Sequence, residues 1–207
     1  MTMLWNAFPD PVQDGQRQFR RVLSTMAEPG TLQRVEGPLP PEEAAIGPAL
    51  WSTLLALCDL DTRLWIAPDL EAGGLRDALA FHTGCRFTEV AAEADFALVT
   101  PATFAASAPD FAEGDDRYPD RSTTLLVVLD TLREGQAWHL SGPGIPDTRG
   151  LEVGEAAPLM TRLAANRARF PCGLDAVLAC GDWLTAIPRS TRIEGERLEE
   201  EDACMSQ

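Results

Sequence analysis

The sequence predicts an α/β protein in which a single domain holds a mixed β-sheet flanked by helices. Segments with the apolar spacing of amphipathic helices alternate with short aliphatic segments typical of strands, which favours a sheet with helices packed against it. The 207 residues are 45% hydrophobic and 24% charged, an ordinary globular composition, and their number fits one domain of generous size or two small ones. The longest aliphatic run, residues 125–129, is far shorter than the roughly 20 residues that a membrane-spanning helix needs.

The N-terminal part of the chain predicts two amphipathic helices. The first spans residues 13–27, with Asp14 as its N-cap and Glu28-Pro29-Gly30 as its end. Its inward positions share helical spacing: Phe19, Val22, Leu23 and Met26. A short strand follows over residues 31–35. A Pro-rich connector then places Pro41 in the first turn of a second, broadly apolar helix over residues 42–58.

The middle of the chain predicts most of the sheet. Strands are predicted over residues 64–67 and 96–99, with a weaker helix over residues 70–81 that contains Gly73-Gly74. Residues 105–122 predict a long loop. The strongest strand is predicted over residues 123–130, and a turn at 133–136 is predicted to fold it back onto a strand over 137–140. This hairpin would make the sheet mixed rather than wholly parallel.

The C-terminal part predicts a last helix, a second hairpin and a tail. The helix spans residues 156–169, and the hairpin joins strands over 174–179 and 183–187 through Cys180-Gly181-Asp182. Residues 1–192 are therefore assigned to the domain. Residues 193–207 are acidic with few apolar side chains, which predicts a flexible tail.

The net charge of the chain and its lack of lysine exclude several classes of function. The basic and acidic residues number 17 and 32, which gives a net charge of −15, so the chain lacks the basic face of a general nucleic-acid binder. All 17 basic residues are arginine. Without lysine the chain cannot form a Schiff base with pyridoxal phosphate, complete a Gly-Lys phosphate-binding loop or use a lysine as a base.

The N-terminus and the cysteines predict a cytoplasmic protein. The first residues have neither a positively charged segment nor a long apolar one, so they do not resemble a secretory signal. Five cysteines at irregular spacing, without a Cys-x-x-Cys pair, suggest neither a disulfide framework nor a cysteine-rich zinc site. They are interpreted as reduced thiols in a reducing compartment.

The two histidines, His82 and His139, rule out a multi-histidine metal site by their number. His139 is interpreted as a structural residue of a strand. His82 lies at a predicted helix end, where it is either a functional imidazole stabilised by the helix dipole or a capping and hydrogen-bonding residue. His82 and Cys85 could supply half of a zinc site, but no second pair follows, so no metal is predicted.

Two further clusters have a functional and a structural interpretation. Asp59 and Asp61 could form an acid–base pair if burial separated their pKa values, or they could cap the next element. Arg189 and Arg192 flank Ser190-Thr191 in a basic patch that could bind an anion or pair with acidic side chains. The Gly142-Pro143-Gly144 sequence is interpreted as a tight turn, because Asp147 breaks the glycine pattern of a dinucleotide site.

An ordered set of motifs, each weak alone, resembles a known family. The motifs are Pro11-Val12-Gln13-Asp14, Phe19-Arg20-Arg21, Met26-Ala27-Glu28-Pro29-Gly30, Leu54-Leu55-Ala56-Leu57-Cys58-Asp59-Leu60-Asp61-Thr62, Phe81-His82-Thr83, Ala94-Asp95-Phe96-Ala97, Leu140-Ser141-Gly142-Pro143-Gly144-Ile145, Phe170-Pro171-Cys172-Gly173-Leu174-Asp175, Cys180-Gly181 and Ala186-Ile187-Pro188-Arg189-Ser190-Thr191. Together they resemble the H-subunit family of the bacterial carbon–phosphorus lyase core complex, which degrades phosphonates. The resemblance covers the chain up to about Arg192.

The resemblance implies a subunit rather than an independent enzyme. The family works with G and I subunits and an ATPase-like L partner to transfer the ribose triphosphate of ATP to a phosphonate, with release of adenine. The resemblance also implies that the subunit is a homodimer when free and that it binds the assembled core through the J subunit. Its fold resembles that of pyridoxal-phosphate-dependent transferases, without the cofactor. No catalytic residue of the family is carried over, so the motif positions Arg20, Asp59, Asp61, His82 and Arg189 stand as candidates.

Two hypotheses about function follow. The first is a non-catalytic or co-catalytic subunit of the phosphonate ribosyltransferase complex. The alternative is a stand-alone enzyme that acts on a phosphate-bearing small molecule through Arg189, Arg192 and His82.

Overall fold

A computed structural model describes residues 5–106 and 108–195. Within these residues the chain forms helices α1 to α5, which are Pro11–Ala27, Pro48–Leu57, Leu75–Thr83, Thr103–Ala106 and Ala157–Ala164. The strands β1 to β10 are Gln33–Arg34, Arg63–Ile66, Arg86–Phe87, Phe96–Val99, Thr124–Val128, Gln136–Ser141, Arg149–Val153, Asp175–Cys180, Trp183–Ile187 and Arg192–Gly195. Among the described residues, none of the helices has both the length and the apolarity needed to cross a bilayer.

The strands form one large mixed sheet and one small antiparallel sheet. The large sheet has the order β1-β9-β8-β5-β4-β2-β3, with parallel pairing from β8 to β3 and antiparallel pairing of β9 with both β8 and β1. The small sheet has the order β10-β6-β7. The α/β class, the mixed sheet and the flanking helices are therefore confirmed.

The large sheet is buried on both faces, which explains its continuous aliphatic sequences. Along β4 the side chain of Leu98 joins the core beneath α1, α2 and α3, whereas Ala97 and Val99 join the core on the opposite face. That opposite core also receives side chains from α5 and the small sheet. Trp51 of α2 is completely buried between its neighbours in the first core.

The order of the parallel strands reverses between β2 and β4. After β2 the chain forms α3 on one face and continues to the edge strand β3, whereas after β4 it crosses the other face on the way to β5. Asp69 follows β2 and Thr100 follows β4, and the hydroxyl of Thr100 donates a hydrogen bond of 2.8 Å to the Asp69 carboxylate. Ligands of open α/β sheets generally bind outside the carboxyl ends of the strands at such a reversal.

The predicted hairpin between residues 123–130 and 137–140 is wrong. β5 lies between β4 and β8 and pairs with both in parallel, so its two edges are already occupied. β6 instead pairs with β7 and β10 in the small sheet. The second predicted hairpin, β8 with β9, is confirmed, with Cys180 opposite Trp183 next to the turn.

Helix α1 was predicted with the wrong cap and with a buried face that is only half right, because Val22 and Met26 pack in the first core but Phe19 and Leu23 do not. Asp10 is the N-cap, since its carboxylate accepts hydrogen bonds from the backbone N–H groups of residues 12 and 13. The buried positions are Gln18, Val22 and Thr25, whereas Phe19 and Leu23 are 44% and 50% exposed. The helix is rotated toward its polar side because it packs on α2 through a buried hydrogen bond rather than through an apolar stripe alone.

Helices α2, α3 and α5 are shorter than predicted. Helix α2 begins at Pro48, not at residue 42, and Pro48 takes the first-turn position predicted for Pro41. A Cβ atom on the preceding Gly47 would lie only 2.5 Å from the carbonyl oxygen of Gly181, so glycine is required where this helix meets the β8–β9 turn. Helix α3 begins at Leu75, after a 3-10 turn at Pro68–Leu70, and α5 ends at Ala164 in a second 3-10 turn, Ala165–Ala168.

The ordered structure extends past the predicted boundary of the acidic tail. Arg192–Gly195 pair with β6, and Ile193 is buried in the second core. A tail could therefore begin no earlier than residue 196, and the remainder of the predicted segment lies outside the described residues.

Candidate functional site

The ends of three elements enclose a cavity of about 660 Å³, called here the arginine pocket. It is lined by Gly142, Pro143, Arg167, Phe170, Arg189, Ser190, Thr191 and Arg192. The 3-10 turn after α5 supplies Arg167, and Phe170 follows that turn. The turn after β6 supplies Gly142 and Pro143, the β9–β10 connection supplies residues 189–191, and Arg192 begins β10. The basic patch predicted at residues 189–192 thus lies in a cavity.

Glycine is needed where the β6 turn approaches the β9–β10 connection. Gly142 has a φ of +123°, which other residues rarely adopt, and a Cβ atom there would lie 3.2 Å from the carbonyl oxygen of Ser190. The interpretation of residues 142–144 as a tight turn is confirmed by the hydrogen bond from the Ile145 N–H to the Gly142 carbonyl, 3.1 Å.

The guanidinium of Arg189 lines the cavity but is already hydrogen-bonded to other residues of the chain. Its Nε lies 3.2 and 3.1 Å from the two carboxylate oxygens of Asp175, and its backbone N–H donates to the same carboxylate at 2.7 Å. Its terminal nitrogens also donate to the carbonyl of Pro119 and the hydroxyl of Ser122. Arg189 therefore links the start of β8 to the loop that precedes β5. For this arginine the contacts fit the interpretation in which the basic patch pairs with acidic side chains.

Two other arginines of the pocket, Arg167 and Arg192, have guanidinium groups without a partner among the described residues. Both are exposed, and neither guanidinium forms an ion pair or hydrogen bond within residues 5–106 and 108–195. The Thr191 hydroxyl is buried and has no hydrogen-bond partner in that same part of the chain. Two unpaired guanidinium groups beside the Ser190 hydroxyl suit a phosphate, phosphonate or carboxylate group.

His82 lies in the last turn of α3 and holds the N-terminal segment. Its Nε2 donates a hydrogen bond of 2.8 Å to the carbonyl oxygen of Trp5, and its ring stacks edge-on against Trp51 and Phe81. Gly84 caps the helix with a φ of +70°, as the sequence predicts. The environment fits the hydrogen-bonding interpretation of His82, and none of these contacts joins it to the arginine pocket.

Asp59 forms a turn between α2 and β2 instead of an acid–base pair with Asp61. One carboxylate oxygen of Asp59 accepts hydrogen bonds from the Thr62 hydroxyl at 2.9 Å and from the backbone N–H groups of Asp61 and Thr62. These bonds, led by the hydroxyl, hold the pKa of Asp59 below its ordinary value. The geometry fits the capping interpretation.

The candidate Arg20 lies on the exposed side of α1. Its side chain has no hydrogen bond or ion pair with any residue that the structure describes. Among the five candidates, Asp59 and Asp61 share the turn between α2 and β2, whereas the contacts described for Arg20, His82 and Arg189 join none of them to that turn or to one another. Their roles stay predictions.

A second cavity of about 450 Å³ lies at the carboxyl ends of the parallel strands, where the strand order reverses. Its polar lining includes Asp69, Thr100, Asp130 and Glu155. The first three follow β2, β4 and β5, so polar residues at or just after the end of each predicted strand were the signal that could have found this cavity. In the part of the chain that the structure covers, no three His, Cys, Asp or Glu side chains are grouped as metal ligands.

Comparison with known proteins identifies relatives along almost the whole chain. Residues 6–194 match the family described as bacterial phosphonate metabolism protein (PhnH). The chain is 37% identical over 193 residues to the alpha-D-ribose 1-methylphosphonate 5-triphosphate synthase subunit PhnH of Rhizobium meliloti (strain 1021), covering 92% of this chain and 95% of that one. It is 28% identical over 191 residues to the putative C-P lyase subunit protein HtxG of Stutzerimonas stutzeri, covering 91% and 89%. The chain therefore belongs to the PhnH family of bacterial phosphonate metabolism proteins.

Proposed function

We propose that the chain is a subunit of the synthase that joins a ribose 5-triphosphate unit to a phosphonate at the start of carbon–phosphorus bond cleavage. The observation that carries the proposal is the end-to-end match to a relative named as a subunit of such a synthase. The lack of any described contact that joins Arg20, His82, Arg189 and the Asp59–Asp61 turn into one site supports a subunit without an independent active centre.

In this proposal the chain works with G, I and L subunits to transfer the ribose triphosphate of ATP to the phosphonate with release of adenine. The assembly is cytoplasmic, the J subunit provides the attachment to the core, and the isolated chain is a homodimer. The fold is proposed to be related to the pyridoxal-phosphate-dependent transferases, although the chain has no lysine to hold that cofactor.

The arginine pocket supports a second candidate, a stand-alone enzyme that binds a phosphate-bearing small molecule. Arg167 and Arg192 support this candidate function, because their guanidinium groups have no partner in the described part of the chain and could bind a phosphate. Its other supports are weaker, since Arg189 is paired with Asp175 and His82 contacts Trp5. The subunit proposal can use the same pocket as an anion contact without any catalytic role.

The test is growth of a clean deletion strain with methylphosphonate as the sole phosphorus source. We expect no growth on methylphosphonate, normal growth on inorganic phosphate, and recovery when the gene is supplied on a plasmid. Normal growth of the deletion strain on methylphosphonate would remove the subunit role. Full complementation by an Arg167→Gln, Arg192→Gln double variant would show that the arginine pocket is not needed for it.

A further inference from the structure

Strand β7 forms a free edge of the small sheet. Among the described residues, the order β10-β6-β7 gives β7 one neighbouring strand, β6, with which it pairs in antiparallel orientation. Consecutive residues of such a strand direct their backbone N–H and C=O groups alternately toward the neighbour and away from it. One set of residues in β7 therefore has backbone groups that β6 cannot pair.

Burial identifies the residues of β7 whose backbone groups face outward. Leu151 and Val153 are 3% and 0% exposed, and buried backbone groups are nearly always hydrogen-bonded, so these two residues pair with β6. Gly150 and Glu152, which alternate with them, are exposed. Within residues 5–106 and 108–195, their N–H and C=O groups form no hydrogen bond outside the sheet. The edge thus presents two donors and two acceptors at the spacing of a strand.

Of the border strands that the structure describes, β7 is the longest. At the borders of the large sheet β1 and β3 have two residues each, and β10 has four, whereas β7 has five. Short border strands limit pairing with other chains, and β7 lacks this protection. Gly150 has no positive φ, and a Cβ atom on it would meet no heavy atom of a non-adjacent residue within 4 Å. A glycine inside a strand often marks the close approach of another backbone.

A cavity of about 720 Å³ adjoins the C-terminal end of β7. Its lining includes Gly154, directly after the strand, the carboxylates of Glu134 and Glu155, and the apolar side chains of Ala157 and Pro158. Both glutamates are exposed, and neither carboxylate has an ion-pair partner in the described part of the chain. Apolar walls with two unpaired carboxylates suit a long basic side chain, because its stem can pack while its cation pairs.

We propose that β7 pairs with an extended strand of another subunit of the assembly, and that a basic side chain of this strand enters the cavity. The inference rests on the proposed subunit function. Backbone groups of the incoming strand bond to those of Gly150 and Glu152, as only an extended chain does at this spacing. Glu134 and Glu155 select a strand with an arginine or lysine at the matching position. A second copy of this chain fits less well, because two chains with a net charge of −15 repel each other.

The first test is residue-resolved amide hydrogen exchange of the full-length chain, alone and bound to a purified assembly of the G, I and J subunits. In the chain alone we expect fast exchange at Gly150 and Glu152 and slow exchange at Leu151 and Val153. In the complex, exchange at Gly150 and Glu152 should slow at least about tenfold. Unchanged exchange at both residues in a complex that does form would overturn the inference and leave the subunit role intact. Failure of the wild-type chain to bind would instead remove the subunit role, and the inference with it.

Proline variants test the same edge by affinity for the G, I and J assembly. Glu152→Pro removes an outward N–H and should weaken binding about tenfold, whereas Glu152→Gln keeps that donor and should bind within about twofold of the wild type. Gly150→Pro removes the other outward N–H and is the second variant if Glu152→Pro does not fold. Folded proline variants that bind like the wild type would refute the strand pairing. Loss of self-association with normal binding to the assembly would assign the edge to a second copy and also refute it.

Charge reversal tests the cavity separately from the edge. Glu134→Lys combined with Glu155→Lys should weaken binding to the assembly about tenfold, because the incoming cation then meets like charges. Glu42→Lys combined with Glu43→Lys is the matched control, since these exposed glutamates lie elsewhere and the net charge changes equally. Equal affinities of the two double variants would overturn the placement of a basic side chain in the cavity.

Discussion

Gln18 of α1 donates a hydrogen bond of 3.0 Å from its side-chain amide to the hydroxyl of Thr53 on α2, and both residues are buried. The Thr53 hydroxyl in turn donates a hydrogen bond of 2.8 Å to the carbonyl oxygen of Ala49. This polar link explains why α1 buries a glutamine on the face that packs against α2. The bond compensates only part of the cost of burying this amide, because the side-chain oxygen of Gln18 is buried without a hydrogen-bond partner among the described residues.

Replacement of this glutamine should destabilise the fold. We expect Gln18→Ala to lower the free energy of unfolding by about 1–3 kcal/mol, because it removes the hydrogen bond and buried side-chain volume. The matched control is Gln16→Ala, an exposed glutamine of the same helix, which should change stability by less than about 0.5 kcal/mol. Denaturant melts of the two variants measure both values, and equal losses would mean that α1 faces the other way.

The apolar side of α1 gives a second test of its orientation. Val22→Ala should lower the free energy of unfolding by about 1–3 kcal/mol, since Val22 is 5% exposed within the first core. Leu23→Ala removes a larger side chain but one that is 50% exposed, so we expect a smaller effect. Thermal melts that rank Leu23→Ala as the more damaging change would contradict the observed rotation of the helix.

The Arg189–Asp175 pair should contribute to stability. Their side chains are only 16% and 20% exposed, so loss of the guanidinium leaves the carboxylate largely desolvated. We expect Arg189→Ala to lower the free energy of unfolding by about 2–3 kcal/mol. Arg192→Ala, an exposed arginine of the same pocket, is the control and should cost less than about 0.5 kcal/mol. A loss no larger for Arg189 than for Arg192 in urea melts would argue against the structural role of Arg189.

The arginine pocket should bind a polyphosphate anion. Titration calorimetry with inorganic triphosphate should show binding that weakens with salt, because guanidinium–phosphate contacts are electrostatic. Arg167→Gln and Arg192→Gln should each weaken binding about tenfold. Arg20→Gln, on the exposed side of α1, should leave it unchanged. Equal weakening by all three variants would assign the binding to overall charge and not to the pocket.

The turn of Asp59 should make stability depend on pH in a defined range. Because the pKa of Asp59 is lowered in the folded chain, its ionised form stabilises the fold above its ordinary pKa of 3.8, and that contribution is lost as the pH falls through the folded value. Asp59→Ala should therefore be less stable than the wild type at pH 7. The gap should narrow as the pH falls below 3.8. Melts between pH 2 and pH 7 measure it, and a gap that does not change with pH would contradict the assignment.

Local sequence signals predicted where helices and strands occur better than they predicted which elements lie next to each other. The β8–β9 hairpin was predictable because Gly181 stands in a short turn between two aliphatic segments. The partners of β5 were not, since an aliphatic strand carries no information about which strands lie beside it. In α1 the apolar spacing of Phe19 and Leu23 was real, but the burial of Gln18 depends on a hydrogen bond to α2 that no local pattern reveals.

The same limit applies to the site. Arg189, Ser190, Thr191 and Arg192 are consecutive, so the sequence could identify them as one patch. Arg167 lines the same cavity from the turn after α5, and the guanidinium of Arg189 is already paired with the Asp175 carboxylate. Both facts depend on tertiary packing.

The most direct test of the subunit role is co-expression of the tagged chain with the G, I and J subunits, followed by size exclusion and mass measurement. The proposed function requires a stable hetero-oligomer that contains this chain in fixed stoichiometry. Recovery of the chain alone, under conditions where the other three subunits assemble with one another, would contradict it.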